Sequence, residues 1–319
     1  VFPTWSIERS QTPPAMRDEF VRHVGRYPSH RFRFICNTEA EKVRLESLEL
    51  PALFLNKNFM VSDSIFHPIA NAAIQFDAVY NARFIPGKRH ELAAAIPHVG
   101  YVTYIDSGRE QEFHDRFAAA LARNPQHALL NGVVDGLPLR MPSPEVNAAL
   151  NRAAVGLVLS AEEGSSYASM EYLLAGLPVV STPSRGGRDV YFDPDCSIIC
   201  NADPRSVRDA VDALRARNVP REFVRERTLA RIQPEREKFL RLIDDLTEEL
   251  GGSRPDWAEK WPFGDESGVA WRPFDEHLAK YANSLRTALS VELGMGADAL
   301  RGVQLEAGQL RPIITAIKQ

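Results

Sequence analysis

The sequence predicts an α/β fold: a doubly wound parallel sheet, preceded by a small Rossmann-like lobe and followed by a helical segment. Three observations carry this expectation. From residue 70 to about residue 232, short β-branched apolar runs alternate with helical patterns and turn residues, the order of a parallel sheet with crossover helices. Inside that stretch, Val155-Gly-Leu-Val-Leu-Ser160, the run from Glu163 to Gly176, and Val179-Val-Ser-Thr182 form strand, helix and strand, a βαβ unit. Beyond residue 232 the alternation stops and charged amphipathic patterns take over.

The elements follow in order. Residues 1–30 are rich in Pro, Arg and His, with one helical stretch at 15–24. Arg31-Phe-Arg-Phe-Ile-Cys36 alternates as a strand, and Thr38-Glu-Ala-Glu41 is a capping box opening a helix to about residue 48. Leu53-Phe-Leu-Asn56 reads as a second strand. Residues 1–68 are therefore read as a reduced or truncated Rossmann-like first lobe, with 58–68 as the crossing to the next. Residues 69–232 form the second lobe, with strands at 78–82, 101–105 and 128–130 and helical runs at 91–96, 111–123 and 144–153. The βαβ unit follows, its helix stopped by Gly176 and Pro178, then a strand at 197–200 and a helix at 204–217. Residues 233–319 form a helical extension. It holds a helix at 234–250, broken by Gly251-Gly-Ser-Arg-Pro255, and another at about 274–293. Trp257, Trp261 and Trp271 cluster between them, read as packing an irregular tail, with acceptor stacking as the alternative.

Composition excludes several classes. The chain has 319 residues, 44% of them hydrophobic, and a net charge of -4, which suits two cores and not a general nucleic-acid binder. No apolar run approaches a membrane span and no positively flanked leader is visible, so a cytoplasmic protein is expected, with peripheral membrane contact left open. Cys36, Cys196 and Cys200 cannot all pair and read as small buried hydrophobes, so no metal is expected. A nicotinamide-dependent dehydrogenase ranks last, since no Gly-x-Gly-x-x-Gly turn follows an early strand.

Candidate chemistry lies where strands end, because ligands of parallel sheets sit at the carboxyl ends. Glu163-Gly164-Ser165-Ser166-Tyr167-Ala168-Ser169-Met170-Glu171 follows such an end. Gly164 admits close approach of a ligand, and the N–H groups from Ser165 to Tyr167 suit an anion or a sugar hydroxyl. Glu163 and Glu171 would lie roughly 12 Å apart were the whole run helical, reading two ends of an elongated ligand. On spacing alone the plainer reading is favoured, a helix-dipole partner and a solvated face. Upstream, Phe76-Asp-Ala-Val-Tyr-Asn-Ala-Arg83 runs through a Pro86-Gly87 turn to Lys88, expected to open a helix.

Glu163, the seven residues between it and Glu171, the Ala-Gly-Leu-Pro-Val-Val that follows, Gly186-Gly187, and the Arg83/Lys88 pair together resemble the family-4 retaining glycosyltransferases of the GT-B fold. The resemblance is strongest over residues 76–215. It implies transfer of a hexose from a UDP-, GDP- or dTDP-sugar, with retention, to a carbohydrate, lipid-linked or small-molecule acceptor. It implies no cofactor and no metal, because Arg83 and Lys88 would hold the leaving diphosphate, where fixed cations stabilise growing charge. Glu163 would lie near the transferred sugar and Glu171 on the ribose, with Gly164, Ser165, Ser166, Tyr167, Asn131 and Gly187 also on the donor. Asp106-Ser-Gly108 and Asn131-Gly-Val-Val134 read either as donor loops or as simple turns. Arg185, Arg188 and Asp189 read at least equally as a solvated turn, and Tyr167 and Ser169 as sugar contacts or packing. The first lobe's His23, His30 and His67 lie in no motif for a general base. The alternative function is a sugar-nucleotide-binding or regulatory protein that kept the donor lobe and lost transfer.

Overall fold

The computed structural model describes residues 1–254, apart from 4, 10 and 29, together with Asp256. The tryptophan cluster and the 274–293 helix lie outside the described residues. Helix α1 (Thr12–Arg26) carries prolines in its first turn, where a missing N–H costs nothing. Strands β1 (Phe34–Cys36) and β2 (Ala52–Phe54) pair in parallel around α2 (Glu39–Glu46). Thr38 caps α2 as the capping box requires, accepting from the Glu41 N–H at 3.1 Å. The buried Glu41 carboxylate accepts from the Asn37 and Ile7 N–H groups at 2.8 and 3.0 Å, tying the N-terminal segment to this lobe. Ile7, Phe34, Cys36, Leu45 and Leu50 form its small core.

After a 3-10 turn at Lys57–Met60 come β3 (Phe76–Asn81), β4 (Val99–Val102), α3 (Glu110–Arg123) and β5 (Ala128–Leu129). Next are a short antiparallel hairpin of β6 (Val133–Val134) and β7 (Leu137–Pro138), then α4 (Ser143–Leu150), β8 (Ala153–Val158) and α5 (Tyr167–Leu174). Strands β9 (Val179–Ser181) and β10 (Ser197–Ile199) and helices α6 (Pro204–Arg217) and α7 (Arg221–Glu249) complete the lobe. The six long-range strands form one parallel sheet in the order β10-β9-β8-β3-β4-β5. The chain starts at the centre, walks outward through β4 and β5, and returns to the other side at β8. The switch point lies between β3 and β8, and their carboxyl ends open the crevice where doubly wound sheets bind ligands.

Both faces of the sheet are covered. Ala78, Tyr80, Tyr101, Val155 and Leu157 pack under α3 and α6, whereas Val79 and Val158 pack with Leu150, Met170, Tyr172, Leu173, Val224 and Ile232 from α4, α5 and α7. Gly156 is required for this fit: a Cβ there would meet the Tyr172 ring at 2.4 Å.

Three expectations are corrected. Lys88 does not open a helix. It ends a 3-10 turn, Pro86–Lys88, and Arg89 in the left-handed region (φ 51) separates this from a second, His90–Ala93, breaking any α ladder where a helical run was read at 91–96. Asn131-Gly-Val-Val134 runs into β6 and is no open loop. The last helix starts at Arg221 and carries Pro234 inside it, because its side chains grip the crossing segment. Arg236 donates to the Phe59 and Val61 carbonyls at 3.0 and 2.9 Å, Arg225 to the Phe66 and Asp63 carbonyls at 2.6 and 2.7 Å, and Lys238 to the Phe54 carbonyl at 2.6 Å. These tertiary bonds outweigh the single ladder bond that the proline removes.

Cys36, Cys196 and Cys200 are free, and burial pushes the Cys36 and Cys196 thiols up to about 12 and 11. Among the described residues, no helix is long and apolar enough to cross a membrane.

Candidate functional site

The segments that leave β3 and β8 meet at the switch point. Lys88 pairs with Glu163, their side chains 15% and 7% exposed. Ser160, just past β8, donates its hydroxyl to the same Glu163 oxygen at 2.5 Å. Glu163 is held by a short parallel ladder to the glycine loop: its N–H donates to the Arg185 carbonyl at 3.0 Å, and Arg185 N–H donates to that of Ala161 at 3.0 Å. Gly187 N–H then donates to the Gly164 carbonyl at 2.6 Å. The Glu163-Gly164 and Gly186-Gly187 loops are thus one unit.

Glu171 approaches from α5. Asn81, at the end of β3, donates from Nδ2 to Glu171 at 2.8 Å and from its N–H to the Tyr172 hydroxyl at 2.5 Å. Only Tyr167 onward is helical, so Glu163 to Ser166 reaches the helix as a loop and the uniform helical rise does not apply. Ser166 caps α5 with no side-chain bond, leaving first-turn N–H groups without a capping oxygen. Ser165 and Ser166 are each 8% exposed, and among the described residues the Ser165 hydroxyl has no hydrogen-bond partner. Ser169 donates to the carbonyls of Ser166 and Arg188 at 2.7 and 3.0 Å. Tyr167 is 37% exposed.

Burial pushes the Glu171 carboxyl up to about 7, with the Asn81 hydrogen bond opposing it. A carboxyl raised in the fold destabilises the folded state as pH climbs from the unfolded value of 4.5 through 7. If the ionised form accepts from ribose hydroxyls, affinity for uridine rises roughly tenfold between pH 6 and 8, and Glu171→Gln flattens the profile. Uridine carries no phosphate to titrate, so an NMR titration with equal affinities at both pH values would remove Glu171 from the ribose.

The remaining candidates divide. Arg83 does not join Lys88 and Glu163: it pairs with Asp106 and lies 5.7 Å from the Tyr104 ring centroid, which Arg140 also approaches at 5.3 Å. The Asn131 amide is buried, accepting from Thr103 N–H at 2.9 Å and donating to the Thr103 and Leu139 carbonyls at 2.8 Å each, so it fixes the ends of β4 and β7. Gly187 faces the small lobe, its carbonyl accepting from Asn56 Nδ2 at 2.5 Å. Arg185 fits its solvated reading in an exposed pair with Glu162, but Arg188 does not. Arg188 is 1% exposed and donates to the carbonyls of Ser160 and Thr182, bracing the ends of β8 and β9. Arg89 adds bonds to the Leu159 carbonyl and Thr182 hydroxyl at 2.5 and 2.6 Å.

Sequence reasoning missed Ser160, Arg89 and Lys57. The first two gave no motif signal, although each follows a strand or turn already placed at the sheet's edge. Lys57 lies 5.7 Å from the Tyr167 ring centroid. Trp5 from the N-terminal segment, 47% exposed, lies 5.9 Å from Lys88 Nζ. Among the described residues, no group of three or more His, Cys, Asp and Glu side chains is placed to hold a metal ion.

No protein-family model matches the sequence, and no curated protein does. Solved structures share the fold. Anabaena HepE in complex with UDP is 12% identical with a TM-score of 0.51, over 72% of this chain and 65% of that one. Sucrose-phosphate synthase from Thermosynechococcus elongatus is 18% identical with a TM-score of 0.54, over 74% and 64%. The pneumococcal O-GlcNAc transferase GtfA in complex with UDP and GlcNAc is 11% identical with a TM-score of 0.52, over 76% and 50%. The chain spans less than two thirds of each. At these identities the likeness speaks for the fold, which is GT-B-like α/β.

Proposed function

We propose that the chain is a retaining, metal-independent glycosyltransferase that moves a hexose from a nucleoside-diphosphate sugar to a hydroxyl acceptor. The single observation that supports this reading most is the buried Lys88–Glu163 pair at the switch point between β3 and β8, with Glu171 joined to the end of β3. A cation beside a carboxylate at that crevice suits a substrate that carries a sugar and a diphosphate together. Glu163 accepts from a sugar hydroxyl, Glu171 from the ribose, and Lys88 faces the diphosphate, where Arg83 joins it on leaving Asp106.

In the reaction, the bond from the anomeric carbon to the diphosphate oxygen breaks and its electron pair leaves with that oxygen. The cations stabilise the charge more in the transition state than before it. The acceptor oxygen bonds to the same face, and its proton passes to the departing phosphate oxygen. HepE in complex with UDP and GtfA in complex with UDP and GlcNAc, which share the fold, support a nucleotide donor.

The test is calorimetric titration with UDP, GDP, dTDP and ADP without metal, followed by the matching sugar nucleotides with detection of released diphosphate. Binding of one nucleotide and turnover of its sugar form is the expected result. Binding without turnover would favour a sugar-nucleotide-binding protein, and no binding would remove the proposal.

A further inference from the structure

We infer that Lys57, delivered from the small lobe, is a further binding residue for the diphosphate of the nucleotide. This rests on the sugar-nucleotide reading above. The residues on either side of Lys57 are stitched to the sheet lobe. Asn56 Nδ2 donates to the Gly187 carbonyl at 2.5 Å and to the Asn37 carbonyl at 3.0 Å, and its Oδ1 caps the following turn by accepting from Asn58 N–H at 3.0 Å. Asn58 Nδ2 donates to the Ser169 hydroxyl of α5 at 3.3 Å. Between these two anchors, the Lys57 ammonium reaches over Tyr167, the first residue of α5.

That ammonium is underused. Among the described residues its one hydrogen bond is long, 3.4 Å to the Pro3 carbonyl, and it has no ion pair. The charges of Glu41 and Glu163 act on it from farther away, while partial burial lowers its pKa. A half-buried ammonium with unspent N–H donors is costly until an anion meets it. The other cations of the site are engaged, Lys88 by Glu163 and Arg83 by Asp106. Tyr167, over which Lys57 lies, opens α5, and at that helix start Ser166 makes no side-chain cap bond while, among the described residues, the buried Ser165 hydroxyl has no partner. Ammonium, hydroxyl and helix N–H groups together form the donor set that a phosphate group takes.

The assignment also explains why a lobe this small keeps contact with the glycine loop: it places one cation on the ligand that the sheet lobe binds. UDP, uridine and inorganic pyrophosphate, titrated into the wild type, Lys57→Ala and Lys57→Arg, test it. The expected result is a loss of tenfold or more in affinity for UDP and pyrophosphate in Lys57→Ala, unchanged uridine binding, and partial recovery in Lys57→Arg. Equal UDP affinity in the wild type and Lys57→Ala would overturn the assignment and leave the glycosyltransferase proposal standing. Pyrophosphate binding that needs Lys57, with no nucleoside binding, would keep the anion site and remove the nucleotide. A wild type that binds none of the three would overturn both. If Lys57→Ala loses uridine as well, Lys57→Gln, which keeps a polar stem without the charge, decides on the same criterion.

Discussion

Replacing Lys88 by alanine is expected to cost about 3–5 kcal/mol of stability and to slow transfer by about 10²–10³-fold. The two losses have different origins. Glu163 is buried, and with the ammonium gone its carboxylate keeps, among the described residues, only the hydrogen bond from the Ser160 hydroxyl, so an uncompensated charge remains in the interior. The rate loss comes instead from the leaving diphosphate, which loses a fixed cation where its charge grows. A double variant separates them. Lys88→Met with Glu163→Gln replaces the ion pair by neutral groups of similar volume, so its urea midpoint should return most of the way to that of the wild type while transfer stays low. Lys88→Ala with wild-type turnover and a lowered midpoint would make the pair purely structural and take away the main support for the proposed chemistry.

Much of the sheet lobe was legible because its signals are local. Helix α6 was read at the bounds it has, since Asp203 caps it by accepting from Ser206 N–H at 2.9 Å, Pro204 opens it, and its apolar residues fall on one face. Thr38 marked the start of α2 for the same reason. The misread elements are those decided by distant contacts or by one unusual dihedral. Pro234 looked like a helix start, yet the turns on either side of it are held by Arg225 and Arg236, which grip the segment before β3. Arg89 carries no sign in its own chemistry that it sits in the left-handed region, and that residue turns an expected helix into two 3-10 turns.

The site shows the same division. Glu163, Glu171, Arg83 and Lys88 stood out through the family resemblance, their spacing alone favouring a plain reading, and the fold brings Lys88 to Glu163 and Glu171 to Asn81. It leaves Arg83 on Asp106, a pairing that no spacing rule announces. Arg188 read as a surface cation because most arginines are. It is buried because strand ends expose carbonyls that only the topology places around it, 28 and 6 residues away in sequence. Lys57 was silent for a stronger reason: the bonds that position its neighbours span 131 and 111 residues.

Gly186→Ala is expected to destabilise the protein by on the order of 3 kcal/mol or more and to abolish nucleotide binding, through geometry alone. Gly186 has φ +93, which side chains rarely adopt, and a Cβ there would lie 1.6 Å from the Glu163 carbonyl oxygen. Neither loop can simply retreat. On one side, Glu163 is fixed through its carboxylate by Lys88 and Ser160, and its N–H donates to the Arg185 carbonyl. On the other, a Cβ at Gly187 would lie 2.3 Å from the Asn37 carbonyl oxygen and from Asn56 Nδ2, so the glycine loop is already against the small lobe. Relief therefore requires breaking the ladder that holds Glu163, and with it the pairing to Lys88. Gly251→Ala is the control for the dihedral alone: that glycine has φ +76, but among the described residues nothing lies within 4 Å of its added Cβ. It should cost only about 1–2 kcal/mol and leave nucleotide affinity unchanged. Unfolding midpoints and UDP titrations on both variants check the argument. A Gly186→Ala protein as stable as Gly251→Ala, with intact UDP binding, would show that the two loops move independently and that the glycine is not what holds Glu163 in place.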